Sequence, residues 1–134
     1  KKSFFLVNFD PSIPNVNIDK DMIIQSLLNI VKNAQEATTN NGVVELKTRI
    51  ERNYTINSIK YKLVVVVSII DDGIGISDEI KNKLFLPLVT DKAEGSGLGL
   101  SISQRLVSLN KGVIVYTENK DKTIFKIILP IEIY

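Results

Sequence analysis

The chain has 134 residues, 44% hydrophobic and 24% charged, which is one domain's worth of chain with enough apolar material for a real core. Lysine and arginine total 17 against 15 acids, a net charge of +2, so there is no electrostatic case for a nucleic-acid partner. It contains neither cysteine nor histidine, which excludes disulfide scaffolds, Cys/His zinc centres and triads that need an imidazole.

The chain opens Lys1-Lys2-Ser3 with neither methionine nor a signal-peptide pattern and reads as an internal piece of something longer. No repeat, low-complexity tract or linker divides it, so residues 1–134 are expected to form one domain. Ser3–Phe9 has strand character and stops at the turn cluster Asp10-Pro11-Ser12-Ile13-Pro14. Asp19 is placed to cap a helix from Lys20 to about Thr38, with Asp21 favourable in its first turn. Ile24, Leu27, Leu28, Val31 and Ala34 are its expected buried side, and Asn40-Asn41-Gly42 ends it.

Two strands are expected next, Val43–Glu51 and Ile59–Ile70, joined by a loop over Arg52–Ser58. The second holds the longest unbroken apolar run, Leu63–Val67, far short of the ~20 residues a membrane helix needs, so no direct membrane insertion is expected. Ser77-Asp78-Glu79 looks like the cap of a short helix ending near Leu84, and Leu86–Gly97 has no period. Leu98–Asn110 is helical, with Leu98, Ile102, Leu106 and Leu109 on one side, and Lys111-Gly112 closes it. Val113–Tyr116 and Thr123–Leu129 form a last hairpin around Glu118–Lys122. The mixed order predicts an α+β fold, helices on one face of a largely antiparallel sheet.

Three features carry chemistry. Gln25, Asn29 and Asn33 stand at i, i+4 and i+8, one stripe of a helix. A solvated stripe is ordinarily Lys and Glu, which are better helix formers, and a carboxamide oxygen is a hard ligand that Mg²⁺ accepts beside water and phosphates. The same residues equally suit a sheet edge, where carboxamides satisfy backbone groups. Asp71-Asp72-Gly73-Ile74-Gly75-Ile76 follows the most apolar strand. A carboxylate there suits an amino group such as that of adenine, and the glycines permit close approach or positive φ, although Asp-Gly is also ordinary turn chemistry. Gly95-Ser96-Gly97-Leu98-Gly99-Leu100 opens a helix, where unpaired amides cradle phosphate, or where glycines simply form a hinge. It is neither a Walker A loop nor a dinucleotide fingerprint.

Taken in this order, the motifs resemble the ATP-binding catalytic domain of sensor histidine kinases, in the superfamily shared with gyrase, Hsp90 and the MutL repair proteins. Gln25-Ser26-Leu27-Leu28-Asn29-Ile30-Val31-Lys32-Asn33-Ala34 is similar to that family's N box, and Asp71–Ile76 to its G1 box. Leu84-Phe85-Leu86-Pro87-Leu88 is similar to the F box, and Gly95–Leu100 to the G2 box. The resemblance implies a two-layer α/β sandwich of the Bergerat type, a mixed five-stranded sheet with about three helices on one face and Mg-ATP held beneath a mobile lid. It matches Asn33 to the Mg²⁺ ligand, with Asn29 beside it as the second catalytic carboxamide, and Asp71 to the acceptor of the adenine amino group. Gly73 and Gly75 match the glycines that let the base lie close, and Thr123 supports the same pocket. Lys92, Gly95, Ser96, Gly97, Leu98 and Gly99 match the phosphate-facing part of the lid and its hinge.

Departures are visible too. Lys122 precedes Thr123-Ile124-Phe125 where the last glycine box normally has glycine, and Leu88 replaces a frequent second aromatic. Glu36 and Ala37 stand where many members have Lys and Tyr, as in nitrogen-regulation and sporulation kinases. The clamp ATPases of the superfamily carry a general-base glutamate where this chain has Asn29, and a carboxamide accepts no proton at neutral pH. The resemblance therefore implies phosphoryl transfer to a histidine on an upstream dimerisation and phosphoacceptor helix pair, with a response regulator as indirect partner, in the cytoplasm. A serine kinase of the anti-sigma-factor type and a non-catalytic nucleotide-binding module are the alternatives.

Overall fold

The computed structural model describes residues 3–38, 41–73, 75–76, 78 and 98–134. Their elements in chain order are β1 (Ser3–Asn8), α1 (Lys20–Ala37), β2 (Gly42–Ile56), β3 (Ile59–Asp71), α2 (Leu98–Leu109), β4 (Val113–Asn119) and β5 (Lys122–Ile133). The expected short helix after Ser77 and the stretch Leu86–Gly97 fall outside the described residues, Asp78 apart. The strands make one five-stranded sheet in the order β1-β2-β3-β5-β4. β1 pairs with β2 in parallel and the other three pairings are antiparallel, so the sheet is mixed, as expected.

Both hairpins run further than the sequence pattern indicates. Arg52–Ser58 is not a loop: β2 continues to Ile56, β3 begins at Ile59, and only Asn57 and Ser58 turn, both at positive φ. The extra length is held by apolar contact, since Ile56 and Tyr61 are buried in one cluster with Val64, Val66 and Ile128. Likewise β4 reaches Asn119, and Lys120 and Asp121, also at positive φ, make a two-residue turn into β5. Two successive left-handed residues match the twist of an antiparallel pair. β5 continues to Ile133 through Pro130, which pairs with Val64 of β3 at a point where the β4 ladder has already ended at Ile128. The missing N–H of the proline therefore interrupts no second ladder.

The helices lie against the sheet face that carries Val44, Val65, Ile69, Phe125, Ile127 and Leu129. Asp19 caps α1 as expected, its Oδ1 accepting from the Met22 N–H at 3.1 Å. The buried stripe of α1 is Ser26, Ile30 and Ala34, with Leu27 and Val31 half-buried, whereas Ile24 and Leu28 are exposed. On α2 the buried residues are Ser103 and Val107, while Ile102 and Leu109 face outward. The expected apolar sides are thus rotated toward smaller residues. Ser26 and Ser103 join the two helices, while Ile30 and Val107 of the same stripes are buried in the core.

α2 ends as the sequence indicates, by a different division of labour. Lys111 takes the left-handed conformation, at φ 64°, and the Gly112 N–H returns to the Val107 carbonyl at 3.0 Å. Glycine is needed at 112 because a Cβ there would lie 2.5 Å from the Ile128 carbonyl oxygen and 2.9 Å from a Val107 methyl. Gly112→Ala is expected to cost about 1–3 kcal/mol by overpacking, read as a lower urea midpoint, while Lys111→Gly should leave stability level or raised. A neutral Gly112→Ala would mean that α2 and β5 yield at this contact.

Candidate functional site

The strongest convergence of sequence features lies where β3 and β5 meet the end of α1. Asp71, the last residue of β3, pairs across the sheet with Thr123 of β5 and on its other side with Val44 of β2. All three are buried, on the face shared with Ile69 and Phe125 and hence toward the helices. A buried carboxylate needs donors, and Asp71 Oδ1 accepts the Gly73 N–H at 3.0 Å, an Asx-type turn that orients the carboxyl group. Asp72 serves the fold instead. It is exposed, and its Oδ1 accepts the Val43 N–H at 3.0 Å, fastening the start of β2.

The two glycines of this motif have different physical reasons. A Cβ on Gly73 would lie 2.2 Å from the carbonyl oxygen of Ala37, so this glycine is what allows β3 to run against the end of α1. Where the sequence reading expects Gly73 to let a base lie close, the structure shows a helix contact at that position. Gly75 has φ 79°, and its nearest neighbour in the Cβ direction is Thr123 Oγ1, 3.8 Å away. It is the backbone that borders the Asp71/Thr123 pair.

On α1, Asn29 and Asn33 are half-buried and Gln25 is exposed. Their stripe continues one more turn to Ala37, the residue that meets Gly73. The carboxamides therefore run along the flank of the buried stripe Ser26, Ile30 and Ala34 and finish at the exit of β3. Asn29 also reaches the second helix, its Nδ2 donating to Ser103 Oγ at 3.4 Å. The structure thus brings Asp71, Gly73, Gly75 and Thr123 together beside Ala37, with Asn33 one turn and Asn29 two turns earlier on α1. Lys92, Gly95, Ser96 and Gly97 fall outside the described residues. Leu98 and Gly99 are placed in the first turn of α2, which begins where the glycine box indicates.

Among the described residues no group of three or more His, Cys, Asp or Glu is arranged to hold a metal ion. The oxygens on offer from α1 are neutral carboxamides. That donor set fits a hard cation carried mainly by phosphates and water, as Mg²⁺ is when it accompanies a nucleotide, rather than an ion caged by protein alone. Sequence reasoning missed two residues here, Ala37 and Ser103. The first acts through its backbone, which no side-chain pattern reports. The second lies off the side marked by Leu98, Ile102, Leu106 and Leu109, so the apolar pattern did not point to it.

Comparison with known proteins bears on this arrangement. The family described as histidine kinase-, DNA gyrase B-, and HSP90-like ATPase matches residues 18–133. The sensory histidine kinase/phosphatase NtrB of Klebsiella oxytoca is 38% identical over 125 residues, covering 92% of this chain and 36% of that protein. The NtrB of Azospirillum brasilense is 34% identical over 131 residues, covering 94% of this chain and 33% of its own length. The chain thus spans about a third of the curated relatives it matches. Among solved structures, the nucleotide-free catalytic domain of the histidine kinase ThkA superposes with a TM-score of 0.77 at 32% identity, covering 96% of this chain and 78% of that one. The mycobacterial sensor histidine kinase MprB, at 24% identity and a TM-score of 0.75, shares the fold.

The two glycines can be told apart by stability alone. Gly73→Ala drives a methyl into a backbone carbonyl and is expected to lower the melting temperature more than Gly75→Ala, whose cost is the left-handed backbone, about 1–2 kcal/mol. The reverse order in thermal unfolding would show that the approach of Ala37 is not what demands a glycine at 73.

Proposed function

This chain belongs to the histidine kinase-, DNA gyrase B- and HSP90-like ATPase family, and from that premise we propose that residues 1–134 are the ATP-binding catalytic unit of a sensor histidine kinase. The unit takes Mg-ATP and donates its γ-phosphoryl group to a histidine on a dimerisation and phosphoacceptor domain. A response regulator would be served indirectly. The observation that carries the reading is the buried Asp71/Thr123 pair at the exit of β3, bordered by Gly75 and approached by the carboxamide stripe of α1. β1 belongs to the unit because it pairs with β2 along its whole length. Glu36 and Ala37 favour the nitrogen-regulation or sporulation type within the kinases.

Each residue has a definite task in this reading. Asp71, its Oδ1 committed to the Gly73 N–H, presents an oriented carboxylate to the adenine amino group, and Thr123 beside it offers a hydroxyl to the same pocket. Asn33 is the residue that would hold Mg²⁺, with Asn29 one turn earlier near the phosphates. The ion, when bound with the nucleotide, neutralises charge developing on the phosphates. In the transfer the bond between the γ-phosphorus and the β,γ-bridging oxygen breaks, ADP leaves, and the new bond forms to an imidazole nitrogen. This chain has no histidine, so the acceptor comes from elsewhere. At position 29 a carboxamide takes no proton from water, so hydrolysis is expected to be slow. That favours transfer over the clamp type of ATPase in the same family. Among the described residues no helix is long and apolar enough to cross a membrane, and a cytoplasmic setting is proposed for this unit.

Titration calorimetry with a non-hydrolysable ATP analogue and Mg²⁺ should detect binding, and no heat at millimolar nucleotide would sink the reading. A hydrogen bond to a charged group is worth ~1.5–3 kcal/mol, so Asp71→Ala should weaken nucleotide roughly 10- to 150-fold. Asp72→Ala should change affinity far less, because that carboxylate is spent on Val43. Equal losses would show the register of the pocket to be wrong. Asn33→Ala should depress phosphoryl transfer to a histidine-bearing partner more than it depresses binding of Mg²⁺-free ADP, and transfer at the wild-type rate would remove Asn33 from its role.

A further inference from the structure

We propose that Ser103 is a positioning residue that sets the polarity of the Asn29 carboxamide, so that its oxygen and not its nitrogen is offered to Mg-nucleotide; this rests on the nucleotide-binding reading above. Ser26 of α1 and Ser103 of α2 are both fully buried, at 0% exposure. They bond reciprocally across the helix pair. Ser26 Oγ donates to the Ser103 carbonyl at 3.3 Å, and Ser103 Oγ donates to the Ser26 carbonyl at 3.4 Å. Each hydroxyl hydrogen is thereby spent on a backbone oxygen. What Ser103 Oγ still has is lone pairs, and the Asn29 Nδ2 donates to it at 3.4 Å.

The direction of this chain of bonds is what matters. Hydrogens run from Asn29 to Ser103 and from Ser103 to the Ser26 carbonyl. A carboxamide turned over would need the Ser103 hydrogen for its Oδ1, and taking it would break the Ser103 bond to the Ser26 carbonyl and with it the reciprocal pair across the helices, which is costly in a part-buried site. The hydroxyl therefore acts as a polarity filter. With Nδ2 held, Oδ1 is the arm of the planar group turned away from Ser103. Oxygen suits the cation and its bound waters, whereas nitrogen would suit bare phosphate oxygens. A seam between two helices needs only the reciprocal serine pair. The third bond, from a half-buried residue of the carboxamide stripe, is the one that a packing role leaves unexplained.

Ser26→Ala is the matched control. It removes the other hydroxyl of the same buried seam and leaves both the Ser103 hydroxyl and the Ser26 carbonyl that takes its hydrogen. The 134-residue chain is titrated with adenosine 5′-(β,γ-imido)triphosphate in Mg²⁺ and again in EDTA, and thermal melts of both variants are recorded. Both should melt earlier. Only Ser103→Ala should lose affinity in Mg²⁺, by roughly 5- to 10-fold, with affinity in EDTA level with that of Ser26→Ala. The Asn29→Ala/Ser103→Ala double variant should lose no more than Asn29→Ala alone. The inference is overturned if Ser103→Ala and Ser26→Ala show the same Mg²⁺ enhancement, or if the Asn29 and Ser103 losses add. Should Ser103→Ala fail to fold, side-chain amide NMR of the unaltered chain decides: a rigid Asn29 NH₂ group supports the filter and a freely reorienting one overturns it. If the unaltered chain binds nucleotide in neither condition, the nucleotide reading fails, and that result is distinct from a filter that fails while binding persists.

Discussion

Where β3 leaves the sheet, its backbone runs against the carbonyl group at the end of α1 so closely that no methyl group fits between them. A Cβ on Gly73 would lie 2.2 Å from the Ala37 oxygen. The placement of the site follows from this contact. Asp71 is two residues before it on the strand side, and Asn33 is one turn before it on the helix side. A carboxylate and a carboxamide separated by 38 positions of sequence are thus brought to the same end of the sheet. The contact also sets where the chain must turn, and the two carboxylates preceding it both hold backbone there: Asp71 on the Gly73 N–H and Asp72 on the Val43 N–H.

The sheet side and the helix side of the candidate site are built on different physics. On the sheet side, Asp71 and Thr123 face each other as one rung of an antiparallel ladder, and burial of β-branched and aromatic neighbours such as Ile69, Val44 and Phe125 leaves them little freedom. On the helix side, α1 and α2 meet through a pair of buried serines, whose bonds are directional and run to backbone carbonyls. Each hydroxyl is satisfied there by the other serine's backbone carbonyl. The seam thus joins α2, which begins at Leu98, to the carboxamide stripe of α1 through the Asn29–Ser103 bond.

One position illustrates how a shared fold accommodates different chemistry. At residue 29, a glutamate would carry a base able to take a proton from water, whereas asparagine keeps the same length and one of the same oxygens and loses the basicity. With the second arm of the side chain now a donor, it also needs a partner, and Ser103 provides one. The carboxamide at 29 thus has a partner on the neighbouring helix.

Much of this molecule follows from local rules that act within a few residues. The Asp19 cap, the period of α1, the alternation through Val44, Leu46 and Thr48, and the glycines beside Asp71 are all readable in the chain, because each reflects a backbone or solvent preference of adjacent residues. The family motifs were readable for the same reason, being short runs of defined spacing. What the tertiary structure alone decided is what depends on distant partners. Arg52–Ile56 became strand because Ile56 and Tyr61 found an apolar cluster with Val64 and Ile128. The buried sides of α1 and α2 turned toward Ser26 and Ser103, away from Leu28, Ile102 and Leu109, because each helix packs on the sheet and on the other helix at once. Gly73 owes its identity to a carbonyl 36 positions away, a steric demand that leaves no trace in composition or period and exists only once helix and strand are packed together.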